Sequence, residues 1–184
     1  MKRRDVLVIT APVVVLPAGC LRTQNSKRNS ESSESTQYES TRLVEIGWQE
    51  ESPLVDGLSR HSETEYHVAV VGSLSNSAVN REYLRQNDGQ DLLAFLDKTS
   101  FETERILALQ ARHMSTARYL DPPSLEIDVD ERIEGTISIG SAEGGGGAVT
   151  RETLFVRIEV DAQNPTGARI TIHENEDSVT VTTD

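Results

Sequence analysis

The sequence predicts a mainly β chain: an antiparallel β-sandwich or barrel-like domain with one short helix, preceded by a signal peptide and a disordered tether. Three observations lead there. From Arg42 onward, short runs that alternate apolar and polar residues recur about every 8 to 14 residues, with turn residues between them. Only "GQDLLAFLDKT", residues 89–99, sets its leucines (Leu92, Leu93, Leu96) on a helical stripe. The region from Leu21 to Thr41 has almost no apolar residue after Leu21 and cannot offset the entropy of ordering. The expected division is therefore 1–19 signal peptide, 20–41 lipidated cysteine and tether, and 42–184 a single β domain, long enough for one core.

The chain opens with Lys2, Arg3 and Arg4, continues uncharged from Val6 to Gly19, and then reaches Cys20, its only cysteine. Charge, apolar run and small residues follow one another in the order of an export signal. Fourteen helical residues reach only about 21 Å, short of a bilayer core about 30 Å thick, and Pro12 and Pro17 interrupt a helix. Arg3-Arg4-Asp5-Val6-Leu7 resembles a twin-arginine export signal, and Leu16-Pro17-Ala18-Gly19-Cys20 resembles a lipobox. In the usual lipobox an aliphatic residue stands three before the cysteine; here that residue is Pro17 and Leu16 stands one further back. The resemblance implies lipid on Cys20. With no second cysteine an internal disulfide is impossible, and a two-chain lipid holds a protein stably to a membrane.

Each later element has its own signal. The tether, "SESSESTQYEST", is Ser/Thr/Glu-rich, and Asn164-Pro165-Thr166 is blocked as a glycosylation sequon by its proline. "RLVEIGW" sets Val44, Ile46 and Trp48 on one strand face. "YHVAVVGSL" is nearly continuous and apolar, as a central strand requires, and "RILALQA" is a further strand. "SLEIDVDE" alternates Leu125, Ile127 and Val129 inward against Glu126, Asp128 and Asp130 outward. "RIEGTISIG" keeps Ile137 and Ile139 in phase, and "TLFVRIEV" keeps Leu154, Val156, Ile158 and Val160 in phase against Arg157 and Glu159. "ARITIH" and "DSVTVTT" close the chain as strands.

Charge narrows the setting. The chain has 18 basic and 30 acidic residues, net −12. Removing residues 1–19 leaves 15 basic and 29 acidic, net −14. Lys2, Lys27 and Lys98 are the only lysines. This acidic, lysine-poor composition resembles that of exported proteins of salt-loving archaea, where molar salt shortens the Debye length to about 3 Å and exposed carboxylates hardly repel. Nucleic acid is not an expected partner, because phosphate binding needs basic surface.

No catalytic, metal or cofactor site is expected. "AEGGGGAVT" lacks the helix start and lysine of a phosphate cradle and reads as a flexible hairpin loop. His61, Glu63, Glu65 and His67 would share one face only if that stretch were a strand; a solvated acidic loop is the preferred reading. "DVDE", residues 128–131, lacks the glycine and closing glutamate of a calcium loop and reads as the wet face of a strand. No Gly-X-Ser-X-Gly elbow is present.

"DKTSFETERILALQA", Tyr119 and "LEIDVDE" resemble small exported β domains, including haloarchaeal lipoproteins of unknown function and, remotely, the C-terminal domain of the protease-complex subunit PrcB. The likeness runs from about Asp97 to Ile172, with Ala117-Arg118-Tyr119 where that domain has Gly-Gly-Tyr. It implies a β fold. The expected function is a membrane-anchored extracytoplasmic lipoprotein acting as a binding or accessory module, with the membrane and an envelope protein as partners. The alternative is a metal-assisted hydrolase built from His61, His67, His113, His173 and nearby carboxylates.

Overall fold

The computed structural model describes residues 38–47, 50–74, 78–160 and 164–183. Arg3, Arg4, the apolar run, Cys20, the tether up to Gln37, and Trp48 lie outside the described residues. Eight strands and two helices follow in the order β1 (Glu39–Ile46), β2 (Tyr66–Val71), α1 (Arg81–Gln86), α2 (Gln90–Asp97), β3 (Glu104–His113), β4 (Arg118–Val129), β5 (Ile133–Ser141), β6 (Thr150–Glu159), β7 (Ala168–Glu174) and β8 (Asp177–Thr183). They form two four-stranded sheets, ordered β1-β6-β3-β2 and β4-β5-β7-β8, in an open sandwich. The predicted mainly β fold is therefore present.

Two cores flank the first sheet. Between the sheets, Val68, Leu107, Leu109, Leu154, Val156 and Ile158 meet Leu120, Leu125, Ile133, Ile137, Ile170 and Ile172. On the other face, Ala69, Ile106, Ala108 and Phe155 lie under Leu84, Leu92, Phe95 and Leu96 of the helices. This second cover explains why "RILALQA" and "TLFV" are continuous apolar runs: both faces of β3 and β6 are buried. Full burial of one such side chain stabilises by about 1.5 to 3 kcal/mol.

The predicted helix is α2. A second helix, α1, precedes it; Asn80 caps it by accepting the Tyr83 N–H at 3.0 Å. Gly89 then lets the chain turn against Leu84, where a Cβ would lie 2.6 Å from Leu84 Cδ2. Strand β4 begins at Arg118, ahead of the expected Ser124, and its register against β5 shifts between Asp121 and Glu126. Pro122 lies in the shifted part of this edge strand, where a missing N–H is tolerated. Ser124 Oγ bridges the irregularity, donating to Asp121 O and accepting from Ser138 N, both at 2.7 Å.

The structure decides which face of β1 is buried and corrects one expectation, the Gly-rich hairpin loop. Leu43, not Val44 and Ile46, is the buried residue of β1; Val44 is 51% and Ile46 72% exposed. Val44 lies opposite Glu152 and Ile46 opposite Thr150, so they share the face that looks toward the second sheet. That sheet does not cover them, whereas the helix layer covers Leu43. The Gly-rich stretch is not a hairpin loop: it carries the chain from β5 in one sheet to β6 in the other. It is also held in place. Thr116 N donates to Gly146 O at 3.0 Å, Gly146 N donates to Thr116 Oγ1 at 2.7 Å, and a Cβ on Gly145 would lie 2.2 Å from that of Ala117. Two reversals, out to the first sheet and back, leave β7 parallel to β5 while every other strand pairing is antiparallel.

Candidate functional site

The four histidines lie on separate elements. His61 is exposed in the loop before β2, as are Glu63 and Glu65, so these residues share no strand face with His67. His67 sits half-buried on β2, and burial lowers its pKa below the ordinary imidazole value, with Asp56 opposing weakly. His173 is exposed on β7. His113 is buried in β3. Among the described residues no three His, Cys, Asp or Glu side chains gather as a metal site. Asp128 lies on the wet side of β4, and Asp130 and Glu131 in the turn that follows.

His113 belongs to a polar cluster between the sheets, at the end of the sandwich where β1 and β3 finish. Glu152, whose side chain is 1% exposed, sits at its centre. Its Oε2 lies 3.0 Å from His113 Nε2 and accepts the Leu120 N–H at 2.7 Å, while Oε1 accepts from Arg42 Nη1 at 3.2 Å. Leu120 is on the edge strand β4, so the carboxylate also occupies a backbone donor that no neighbouring strand takes. The Arg42 guanidinium stands 5.5 Å from the Tyr119 ring centroid. The Tyr119 ring lies over Gly140, where a Cβ would fall 2.5 Å from Cζ. Arg118 pairs with Glu174, which accepts the Tyr66 hydroxyl at 3.1 Å. Glu152 and His113 are enclosed, and three donors satisfy the carboxylate, which is what makes its burial tolerable. The cluster joins β1, β3, β4 and β6 and gives a substrate no access to its centre.

A second buried network lies under the loop before β2. Arg151 donates to Glu45 through Nε at 2.8 Å and Nη2 at 3.0 Å, to the Tyr83 hydroxyl at 2.8 Å, and to the carbonyls of Glu51 and Leu58 at 2.7 Å each. Beside it, Gln110 accepts the Leu58 N–H at 2.7 Å and donates to Ser52 Oγ and Thr153 Oγ1. These groups fasten the loop and α1 to the sheet. Neither network was legible in the sequence, because the partners are separated by up to 110 residues.

The accessible feature lies at the opposite end, where β1 and β3 begin and β4 and β6 finish. A cleft of about 510 Å³ opens there. Tyr38, Val129 and the buried Ile158 line it from the between-sheet side; Glu39, Glu104 and Glu159 give it carboxylates. The one basic group among its described lining residues, Arg157, lies 4.4 Å over the Phe95 ring, pairs with Glu39, and approaches Glu104 Oε2 at 3.6 Å. Arg157 also donates to Thr99 Oγ1 and Phe95 O, so α2 holds the guanidinium in place. A groove of about 430 Å³ runs over Glu126, Glu134, Thr136, Arg169 and Thr171 on the uncovered face of the second sheet, and one of about 500 Å³ borders Asp130, Glu131 and Arg132.

This arrangement can hold a ligand by charge; among the described residues the cleft lining contains no histidine, serine, threonine or cysteine. No helix among the described residues is long and apolar enough to cross a membrane. No family model, curated protein or solved structure matches this chain.

Proposed function

We propose that the chain is a lipid-anchored binding module on the outer face of a cell membrane, exported through the twin-arginine route and adapted to high salt. One observation supports binding above the other readings. The cleft at the Glu39 end is open at the surface and lined by Tyr38, Val129, Ile158 and three glutamates, with no nucleophile or imidazole among its described lining residues. Such a lining fits recognition. The anchor rests on Lys2, Arg3 and Arg4, the uncharged run Val6–Gly19 and the single Cys20. An envelope protein or a small solute is the ligand class this location offers.

Fractionation of cells expressing the full chain tests the proposal. Cys20→Ser is expected to move the protein from the membrane to the soluble fraction or to leave the precursor uncut. Replacing Arg3 and Arg4 with lysine is expected to hold the precursor inside the cell. Mass spectrometry showing an unmodified Cys20 in membrane-bound mature protein would overturn the anchor, and normal export of the double lysine variant would overturn the route.

A further inference from the structure

We propose that the Ile46 end of the sandwich rests on the lipid surface to which the chain is anchored, with Ile46, Val44 and Met114 as its points of contact. This deepens the anchored-module reading and rests on it. Three observations converge on lipid: an exposed apolar patch, the lack of charge beside it, and the length of chain that leads to the anchor.

Ile46 is 72%, Met114 62% and Val44 51% exposed. They lie at one end of the first sheet. Ile46 on β1 and His113 on β3 flank Thr150 of β6 in one row, and Met114 follows His113 directly. Gly47 N donates to Val149 O at 2.9 Å, which brings the half-buried Val149 to the same end. Large aliphatic side chains grouped at an exposed end mark an interaction surface.

Charge sets this end apart. Residues 114–117 and 144–149 carry none, and the hydrogen bonds between Thr116 and Gly146 hold the two stretches together. The chain has 30 acidic residues in 184, so an uncharged surface is unusual on it. Glu143 and Arg118 border the patch, and the exposed Glu50 and Glu51 follow β1. Molar salt confines the reach of such charges to about 3 Å. The opposite end gathers Glu39, Glu104 and Glu159.

Length then favours lipid over other apolar partners. The described chain enters at Tyr38, beside Glu39. Eight residues at about 3.3 Å each place Ile46 about 26 Å from Tyr38 along β1. Cys20 stands 18 residues before Tyr38. A coil of that length, which its Ser/Thr/Glu-rich sequence predicts, spans about 23 Å. A tether gives the highest effective concentration when its span matches the distance it bridges. With Ile46 on the lipid, Tyr38 stands about one tether length above it, and the cleft beside Glu39 faces away from the membrane. Contact stops at the interfacial layer, because β1 is an edge strand whose open backbone groups hydrocarbon cannot satisfy.

The test uses the full chain, recovered with its lipid and reconstituted in phosphatidylcholine vesicles, with Trp48 as reporter. Trp48 is the only tryptophan and stands two residues after Ile46. Lipids brominated along the acyl chain are expected to quench its fluorescence, and the quenching is expected to persist at about 2 M KCl, where charge attraction is screened. Ile46→Gln and Met114→Gln are each expected to lower the ratio of docked to free domains about tenfold, the effect of leaving one large apolar side chain in water. Leu74, 51% exposed, follows β2 at the Glu39 end, and Leu74→Gln is expected to leave the quenching unchanged. All three side chains are exposed, so an unchanged unfolding midpoint ties any loss to the patch.

Absence of quenching would overturn the proposal. So would equal loss in Leu74→Gln and Ile46→Gln, or quenching that fades as KCl rises, which would make the contact electrostatic. Self-association in detergent that Ile46→Gln abolishes, with Trp48 unquenched in vesicles, would give the patch to a second copy instead. The anchored-module reading is separable: lipid on Cys20 with Trp48 unquenched removes only the docking, and an unmodified Cys20 with Trp48 quenched removes only the anchor.

Discussion

Tyr66 and Tyr83 each give a hydroxyl hydrogen to a buried or half-buried glutamate with an arginine alongside: Glu174 and Arg118 in one case, Glu45 and Arg151 in the other. Burial, and then the neighbouring carboxylate, raises both phenols above their ordinary value, Tyr66 to about 12. The folded state thus favours the protonated phenol more than the unfolded chain does. The stability this contributes is fully present below the unfolded pKa of about 10 and is lost as pH rises from there through the folded value. Thermal unfolding is therefore expected to move to lower temperature between about pH 10 and pH 12, and Tyr66→Phe is expected to reduce that slope while leaving neutral-pH behaviour less affected. A slope identical in Tyr66→Phe and in the unaltered chain would show that Tyr66 does not titrate against Glu174. Local sequence places Tyr66 at the start of a strand, but Glu174 is 108 residues away. No periodicity carries information about such a partner.

At the level of the element, β1 shows what alternation encodes. A strand with apolar residues at 44 and 46 has a definite phase, and Leu43 and Glu45 occupy the other phase. Which phase is buried depends on what lies above each face. Here the helices cover Leu43, and the second sheet stops short of Val44 and Ile46. Leu43→Ala is accordingly expected to cost about 2 to 4 kcal/mol, whereas Val44→Thr and Ile46→Thr are expected to stay within about 0.5 kcal/mol. Denaturant midpoints of the three variants check this, and a Val44 or Ile46 variant as costly as Leu43→Ala would place those residues in the core. Helix α1 was hidden for a different reason. Six residues are less than two turns, so "REYLRQ" shows no stripe, although the Asn80 cap was in the sequence. The Gly-rich crossover also looks from its own residues like a hairpin, because both kinds of connection join two strands. Only the sheet assignment of β6 separates them.

Across the whole molecule, the excess of acid over base dominates behaviour in dilute solution. Folding gathers the carboxylates of a chain with net charge −12 onto a small surface, and their repulsion opposes compaction. Molar salt shortens the reach of that repulsion to about 3 Å. The unfolding midpoint is expected to rise clearly between dilute buffer and about 2 M KCl. Chaotropic anions should help less than chloride because they also weaken apolar burial; a flat midpoint would remove salt adaptation from the account. The sequence by itself determined the fold class, the place of nearly every strand and of α2, and the inward phases of β4, β5 and β6, because each depends on periodicity within one segment. Only the tertiary structure decided that helices cover one face of the first sheet and that β6 lies between β1 and β3. The same holds for Glu152 and Arg151 as the centres of buried polar networks, and for Glu39, Glu104 and Glu159 around one cleft. Each of these depends on which distant segments meet, and that is settled by burying all the apolar faces together rather than by any one stretch of residues.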